Sequence, residues 1–210
     1  MSTYNGITII STPCYTIPHV AYPSSIEWHP QEAVATTQSP FTGAIKSYDW
    51  GASWWEGQVS FPPMDSLSAS AWQAFLLACR GASNGFMLGD PKGVLPRGSA
   101  LGEPTLNGAN QTGYSVSTRG WRGSAVNVLM AGDYIQIGVH LYKVLENVSS
   151  DVNGNVSFTV WPNLRSDAAA DGTPIITKGA QGLFRIKNPT KFSVNSGLYG
   201  LSPIEIAEVL

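Results

Sequence analysis

The chain has 210 residues, of which 43% are hydrophobic and only 12% charged, with Lys plus Arg at 12 and Asp plus Glu at 14. That balance excludes a coiled coil or a charge-rich disordered tail, and it argues against a protein that holds nucleic acid by neutralising phosphates. Gly 22 and Pro 14 make 36 of 210 residues turn formers, which favours many short strands over long helices. So little charge leaves much of the surface neutral or apolar, either under a Ser/Thr/Asn coat or under other subunits.

The opening Met1-Ser2-Thr3-Tyr4-Asn5-Gly6 has neither a basic region nor a long apolar run, so no signal peptide is expected. No stretch approaches the ~20 apolar residues of a membrane-spanning helix. Pro13, Pro18, Pro23, Pro30 and Pro40 punctuate the first forty residues, so any strand there is expected to be short or at a sheet edge. Cys14 and Cys79 have no metal or redox spacing and read as reduced, buried hydrophobes.

From Phe41 the pattern sharpens. Residues 41–50 are strand-like, Gly51-Ala52-Ser53 reads as a turn, and 54–61 alternates with Trp55, Gly57, Val59 and Phe61 on one face. This predicts a hairpin. Asp65 to Arg80 is the one convincing helix, with Leu67, Ala71, Phe75 and Cys79 at spacing four, Trp72 and Leu76 widening the stripe, and Gly81 at the exit. Gln73 and Arg80 are its only strongly polar body residues, so the helix is expected to be covered on most of its circumference. Residues 84–88 form a short strand. Residues 92–123 hold seven glycines and few apolar residues, and read as a long loop or small insertion within a domain formed by 1–91 and 124–210.

Strands return after Val126. Gly132-Asp133 makes a turn before Tyr134–Gly138 and Leu141–Leu145. Asn153-Gly154 is the strongest hairpin signal, joining Lys143–Val148 to Val156–Trp161. Ile175-Ile176, Leu183–Ile186 and Phe192–Val194 are further strands, and Ile204–Leu210 alternates as a last one.

Catalytic motifs are nearly absent. No phosphate-binding glycine loop, nucleophile elbow or zinc-protease helix occurs, and His19, His29 and His140 are scattered. No cofactor, metal site or enzyme activity is expected. Asp49 and Glu56 flank one hairpin and could converge as a glycosidase-like pair, but solvated residues near a turn explain them better. The aromatic cluster Trp50, Trp54 and Trp55, with Trp121 further on, suits either core and interface anchoring or stacking on sugar rings.

Several segments together resemble the distal tail protein of long-tailed, non-contractile bacteriophages. These are Ser39-Pro40-Phe41-Thr42-Gly43, Tyr48-Asp49-Trp50, Trp54 to Met64, Ala71-Trp72-Gln73-Ala74-Phe75-Leu76 and Phe86-Met87-Leu88-Gly89-Asp90-Pro91. In the second half they are Ala131 to Gly138, Leu141-Tyr142-Lys143-Val144 and Val160 to Arg165. The resemblance covers about Ser39 to Leu210. It implies a mainly β fold, a split β-barrel with one packed helix. It also implies a hexameric ring in the virion tail that joins the tail tube protein to the hub and to tail-fibre or receptor-binding proteins. Many such proteins carry a second, galectin-like domain, for which this chain has room only around Lys92–Gly123. The alternative from the residues themselves is a carbohydrate-binding β-domain that uses Trp50, Trp54 and Trp121. In the ring reading, the hairpins at Phe41–Phe61 and Lys143–Trp161 would offer sheet edges between subunits.

Overall fold

The computed structural model describes residues 3–4, 7–8, 14–15, 17–18, 23–165, 170–188, 190–195 and 197–210. The architecture is mainly β and barrel-like with one packed helix, as expected. Two six-stranded sheets carry it. The first has the order β3 (Cys14–Tyr15), β6 (Gly85–Leu88), β13 (Gly182–Ile186), β16 (Ile204–Glu208), β5 (Ile45–Ser60), β4 (Ser25–Gln38). The second has the order β12 (Ile175–Ile176), β9 (Tyr134–Ile137), β10 (His140–Val144), β11 (Val156–Leu164), β8 (Gly113–Trp121), β7 (Gly102–Leu106). Two small ribbons complete the described strands, β1 (Thr3–Tyr4) with β2 (Ile7–Thr8) and β14 (Phe192–Asn195) with β15 (Leu198–Leu201).

The second sheet curls until its edges meet. Thr105 on β7 bridges Pro174 beside β12, and the Leu106 N–H donates to the Thr173 carbonyl at 2.9 Å. Closure removes free edges. Inside lie Leu106, Val116, Ile135, Tyr142, Phe158 and Val160, all buried. The sheet is one continuous stretch of chain, 102–176, inserted between β6 and β13 of the first sheet. The glycine-rich segment 92–123 is therefore not loop throughout, since it supplies β7 and β8. Its glycines serve close strand approach. A Cβ on Gly120, whose φ is +88°, would lie 2.5 Å from the Glu103 carbonyl oxygen across the pair.

The first hairpin also differs from the sequence reading. Gly51-Ala52-Ser53 is no turn, because β5 runs unbroken through it and pairs with β4 from the proline-punctuated segment. Residues 32–34 of β4 face 49–53 of β5, so Trp50–Ala52 form a bulge. Gly51 sits there at φ +68°. Pro30 is tolerated because β4 is the edge strand. The actual turn is Ser39–Ala44, closed by Gly43 N–H to Ser39 O at 3.0 Å and Ser39 N–H to Ala44 O at 2.9 Å.

Helix α1 (Ser66–Cys79) starts on Asp65, whose carboxylate accepts the Ser68 N–H at 2.9 Å. The Ser68 hydroxyl, and then this N–H, hold the Asp65 carboxyl below its ordinary value. The helix ends at Arg80 in the left-handed region, one residue before the expected glycine, and Asn84 donates to the Ala78 carbonyl. Ala69, Trp72, Phe75, Leu76 and Cys79 are buried against the first sheet. Leu67, at the head of the expected stripe, is 75% exposed instead.

The two sheets meet along a seam with a polar centre. Glu208, fully buried on β16, accepts the Trp55 N–H at 3.1 Å and lies 3.1 Å from Nδ1 of His140 on β10. Arg165, after β11, reaches the same carboxylate at 3.4 Å and also donates to the Ser53 carbonyl. The Trp55 indole N–H donates to the Leu141 carbonyl at 2.9 Å, and Ser53 Oγ meets Asn163 Oδ1 at the same distance. Beside them Tyr134 packs on Trp55. Burial, and then the Asp90 carboxylate nearby, push its hydroxyl up to about 12.

Two predictions follow from the seam. Glu208→Ala leaves Arg165 and His140 without their shared carboxylate and is expected to cost about 3–5 kcal/mol in denaturant unfolding. A raised tyrosine contributes stability that is complete below its unfolded value of 10.0 and lost as pH climbs through about 12. Wild type should therefore lose stability across that window relative to Tyr134→Phe, read as the difference between their melting temperatures at each pH.

Candidate assembly surface

Beyond the bulge, β4 and β5 leave the body of the protein as a two-stranded arm. Strand β16 pairs β5 only from Gln58's neighbourhood, at 56–59, while the β4–β5 pairing continues out to Gln38 opposite Ile45. The outer edge of β4 has no strand partner among the described residues. Every residue from Pro40 to Gly51 is exposed. The arm carries Phe41 at its tip, 96% exposed, and Val34, Ile45, Tyr48 and Trp50 along its length, with Trp50 at 68%. Strand alternation puts Ile45 and Tyr48 on opposite faces, so both faces present large apolar groups. From Val34 to Gly51 the only charged residues are Lys46 and Asp49. Asp49 is engaged locally, accepting the Gly51 N–H at 2.7 Å.

A second uncovered patch lies on α1. Leu67 and Leu77 are exposed, with Ser70 and Ala74 between them on the same helical stripe. Among the described residues, the buried side of the helix is the one that carries Ala69, Trp72, Phe75, Leu76 and Cys79.

The four tryptophans divide sharply. Trp55 is 4% exposed in the first core, edge-on to Trp161 with centroids 4.4 Å apart and to Trp28 at 5.6 Å. Trp121 is equally buried in the closed sheet, where its indole N–H donates to Thr118 Oγ1 at 2.7 Å. Neither offers a ring face to solvent. Trp54 is half-buried and donates to Glu56 at 3.2 Å. Trp50 stands on the arm, apart from the others. No joint stacking platform forms from Trp50, Trp54 and Trp121.

Asp49 and Glu56 do not converge either. Seven residues along one strand separate them by on the order of 20 Å. Glu56 is ion-paired with Lys187 at 2.8 Å, which with the Trp54 bond holds its carboxyl below its ordinary value. His19 lies outside the described residues; His29 is on the edge strand and His140 in the seam. Among the described residues no cluster of three His, Cys, Asp or Glu side chains could hold a metal ion. Cys79 is buried in α1, and the side chain of Cys14 lies outside the described residues. No described helix is long and apolar enough to cross a membrane. The hairpin at Lys143–Trp161 provides no edge, because β10 and β11 are central strands of the closed sheet.

Three features of this surface escaped the sequence reading. The arm is longer than its local signals, its second strand comes from the proline-rich segment, and Trp28 joins the core from there. The alternation of Ile26 and Trp28 toward the core was the available signal.

No protein-family model matches the chain, and no curated protein matches it.

The division between arm and core has a direct consequence for stability. Phe41→Ser and Trp50→Ser should leave the unfolding free energy of the isolated chain within about 0.5 kcal/mol of wild type. Trp55→Ala should cost about 3–5 kcal/mol. Denaturant titration of the three variants checks both.

Proposed function

We propose that the chain is a structural component of a bacteriophage tail tip, acting by assembly rather than catalysis. The observation that supports this best is the arm: an outer edge of β4 with no strand partner among the described residues, and five exposed large apolar side chains on an almost uncharged ribbon from Val34 to Gly51. A long exposed edge of this kind invites pairing with another chain, and native proteins cover it unless pairing is its purpose. The uncovered Leu67 and Leu77 on α1 give a second contact, which suits a closed ring, where each subunit uses two different surfaces. The low charge fits surfaces that neighbours bury. The resemblance of residues 39–210 to distal tail proteins supplies the setting. In that reading about six copies form a ring between tail tube and hub, with receptor-binding components attached outside.

Light scattering of the purified chain, followed by electron microscopy of any large species, tests this. The expected result is a ring-sized particle that Phe41→Ser with Trp50→Ser reduces to monomer without lowering the melting temperature of the subunit. A monomer at every concentration, together with glycan binding that Trp50→Ala abolishes, would overturn the reading in favour of a carbohydrate-binding domain.

A further inference from the structure

A polar cavity of about 170 Å³ lies on the closed sheet, away from the arm and the helix. Asp90, Lys92, Arg97, Asp133 and Lys143 give it its charge, with the neutral Tyr134 of β9 beside them. Three cations therefore stand against two carboxylates. Asp133 is already saturated, whereas Asp90 keeps acceptor capacity. Asp133 is buried and accepts the N–H groups of Arg97, Gly98 and Met130 at 2.8–3.0 Å, with the Arg97 Nε at 3.4 Å. Asp90 accepts the Lys92 N–H at 2.8 Å.

The cations are not matched in the same way. Lys143 is half-buried, and its ammonium makes one hydrogen bond, to the Tyr134 hydroxyl at 3.2 Å, while sitting 4.6 Å from the centre of that ring. An ammonium has three donors. Among the described residues neither the Lys143 nor the Lys92 ammonium forms an ion pair with a carboxylate. Arg97 spends Nε on Asp133 and one terminal nitrogen on the Ala131 carbonyl, leaving the other terminal nitrogen to donate. Donors from three cations thus line a shared space in which Asp133 is saturated and Asp90 is the remaining acidic acceptor. Positive charge along its lining exceeds negative by one, three cations against two carboxylates.

We propose that this cavity binds a small oxyanion of phosphate size, held by Lys143 and Lys92 with the Arg97 guanidinium at its wall. The volume equals that of about six waters at liquid density, room for a tetrahedral oxyanion and part of its hydration shell. Asp133 acts here as a positioning residue: it pins residues 97–98 to the turn and so fixes the cavity wall. Two ammonium groups favour a dianion over a monoanion, since each adds an attractive charge in a partly desolvated space. This inference does not depend on assembly, because none of its residues lies on the arm or on α1.

Isothermal titration of the full chain with inorganic phosphate, and separately with acetate, at constant ionic strength set by sodium chloride, tests it. The expected result is saturable phosphate binding at about one site per chain, at least tenfold weaker acetate binding, and at least tenfold weaker phosphate binding in Lys143→Gln. The melting temperature of Lys143→Gln without phosphate should match wild type, which separates lost binding from lost folding. Lys92→Gln, on the exposed side chain, provides a second variant with the same expectation and no folding risk. No saturable phosphate binding up to about 10 mM, or equal binding in both variants and wild type, would overturn the proposal.

Discussion

The carboxylate of Glu208 ties the two sheets together. It is fully buried, and its partners come from three other strands or strand ends: Trp55 on β5, His140 on β10 and Arg165 after β11. A buried ionised group is tolerated only when such partners satisfy it, and an apolar pair in its place would cost less to bury. What the polar cluster adds is direction. Apolar faces of two sheets can slide past one another with little change in buried area, whereas these hydrogen bonds are satisfied in one register only. Ser53 with Asn163, and the Trp55 indole with the Leu141 carbonyl, extend the same seam by further directional bonds.

That seam explains where the arm begins. Ser53 and Trp55 are buried in it, while Trp50 and Gly51, in the bulge at Trp50–Ala52, are exposed. From Glu56 to Val59 β5 is held on both edges, by β4 and by β16. Outside that stretch only the β4–β5 ladder remains. The chain therefore changes from a strand specified by a core to a ribbon specified by its own pairing within a few residues.

Much of this could be read from the residues, and the failures have identifiable causes. Helix α1 was legible because the spacing of Trp72, Phe75, Leu76 and Cys79 and the glycine at its exit agree. The strands β12, β13, β14 and β16 were legible from short apolar runs. The hairpin was misplaced because a glycine at positive φ serves a turn and a bulge equally well, and only the pairing partner decides between them. The glycines of 92–123 read as loop because close strand approach and flexibility demand the same residue. Of the tryptophans, alternation correctly put Trp55 inward, whereas nothing local separates Trp121, in the closed sheet, from a stacking platform. Glu208 carried a signal that went unused: it extends the inward even-numbered positions of Ile204 and Ile206 by one more step. A charged residue on a core face reads as the end of a pattern, when here it is the pattern's functional member.

A two-stranded ribbon in water is marginally stable, since each residue's backbone ordering costs about 1–2 kcal/mol and little area is buried in return. The outer arm, from Val34 opposite Asp49 to the turn, is such a ribbon. Polar residues would make it soluble at no loss of pairing, and charge or a buried flank would protect its edge. The sequence instead places Phe41, Ile45, Tyr48 and Trp50 there, with Lys46 and Asp49 as the only charges. Within one chain these side chains contribute almost no burial, so their stabilising effect is available only when another surface covers them. The arm is thus poorly explained as part of a free monomer and well explained as half of a contact. In the proposed ring, the root fixed by Glu208 would set where each arm is held relative to the body of its own subunit.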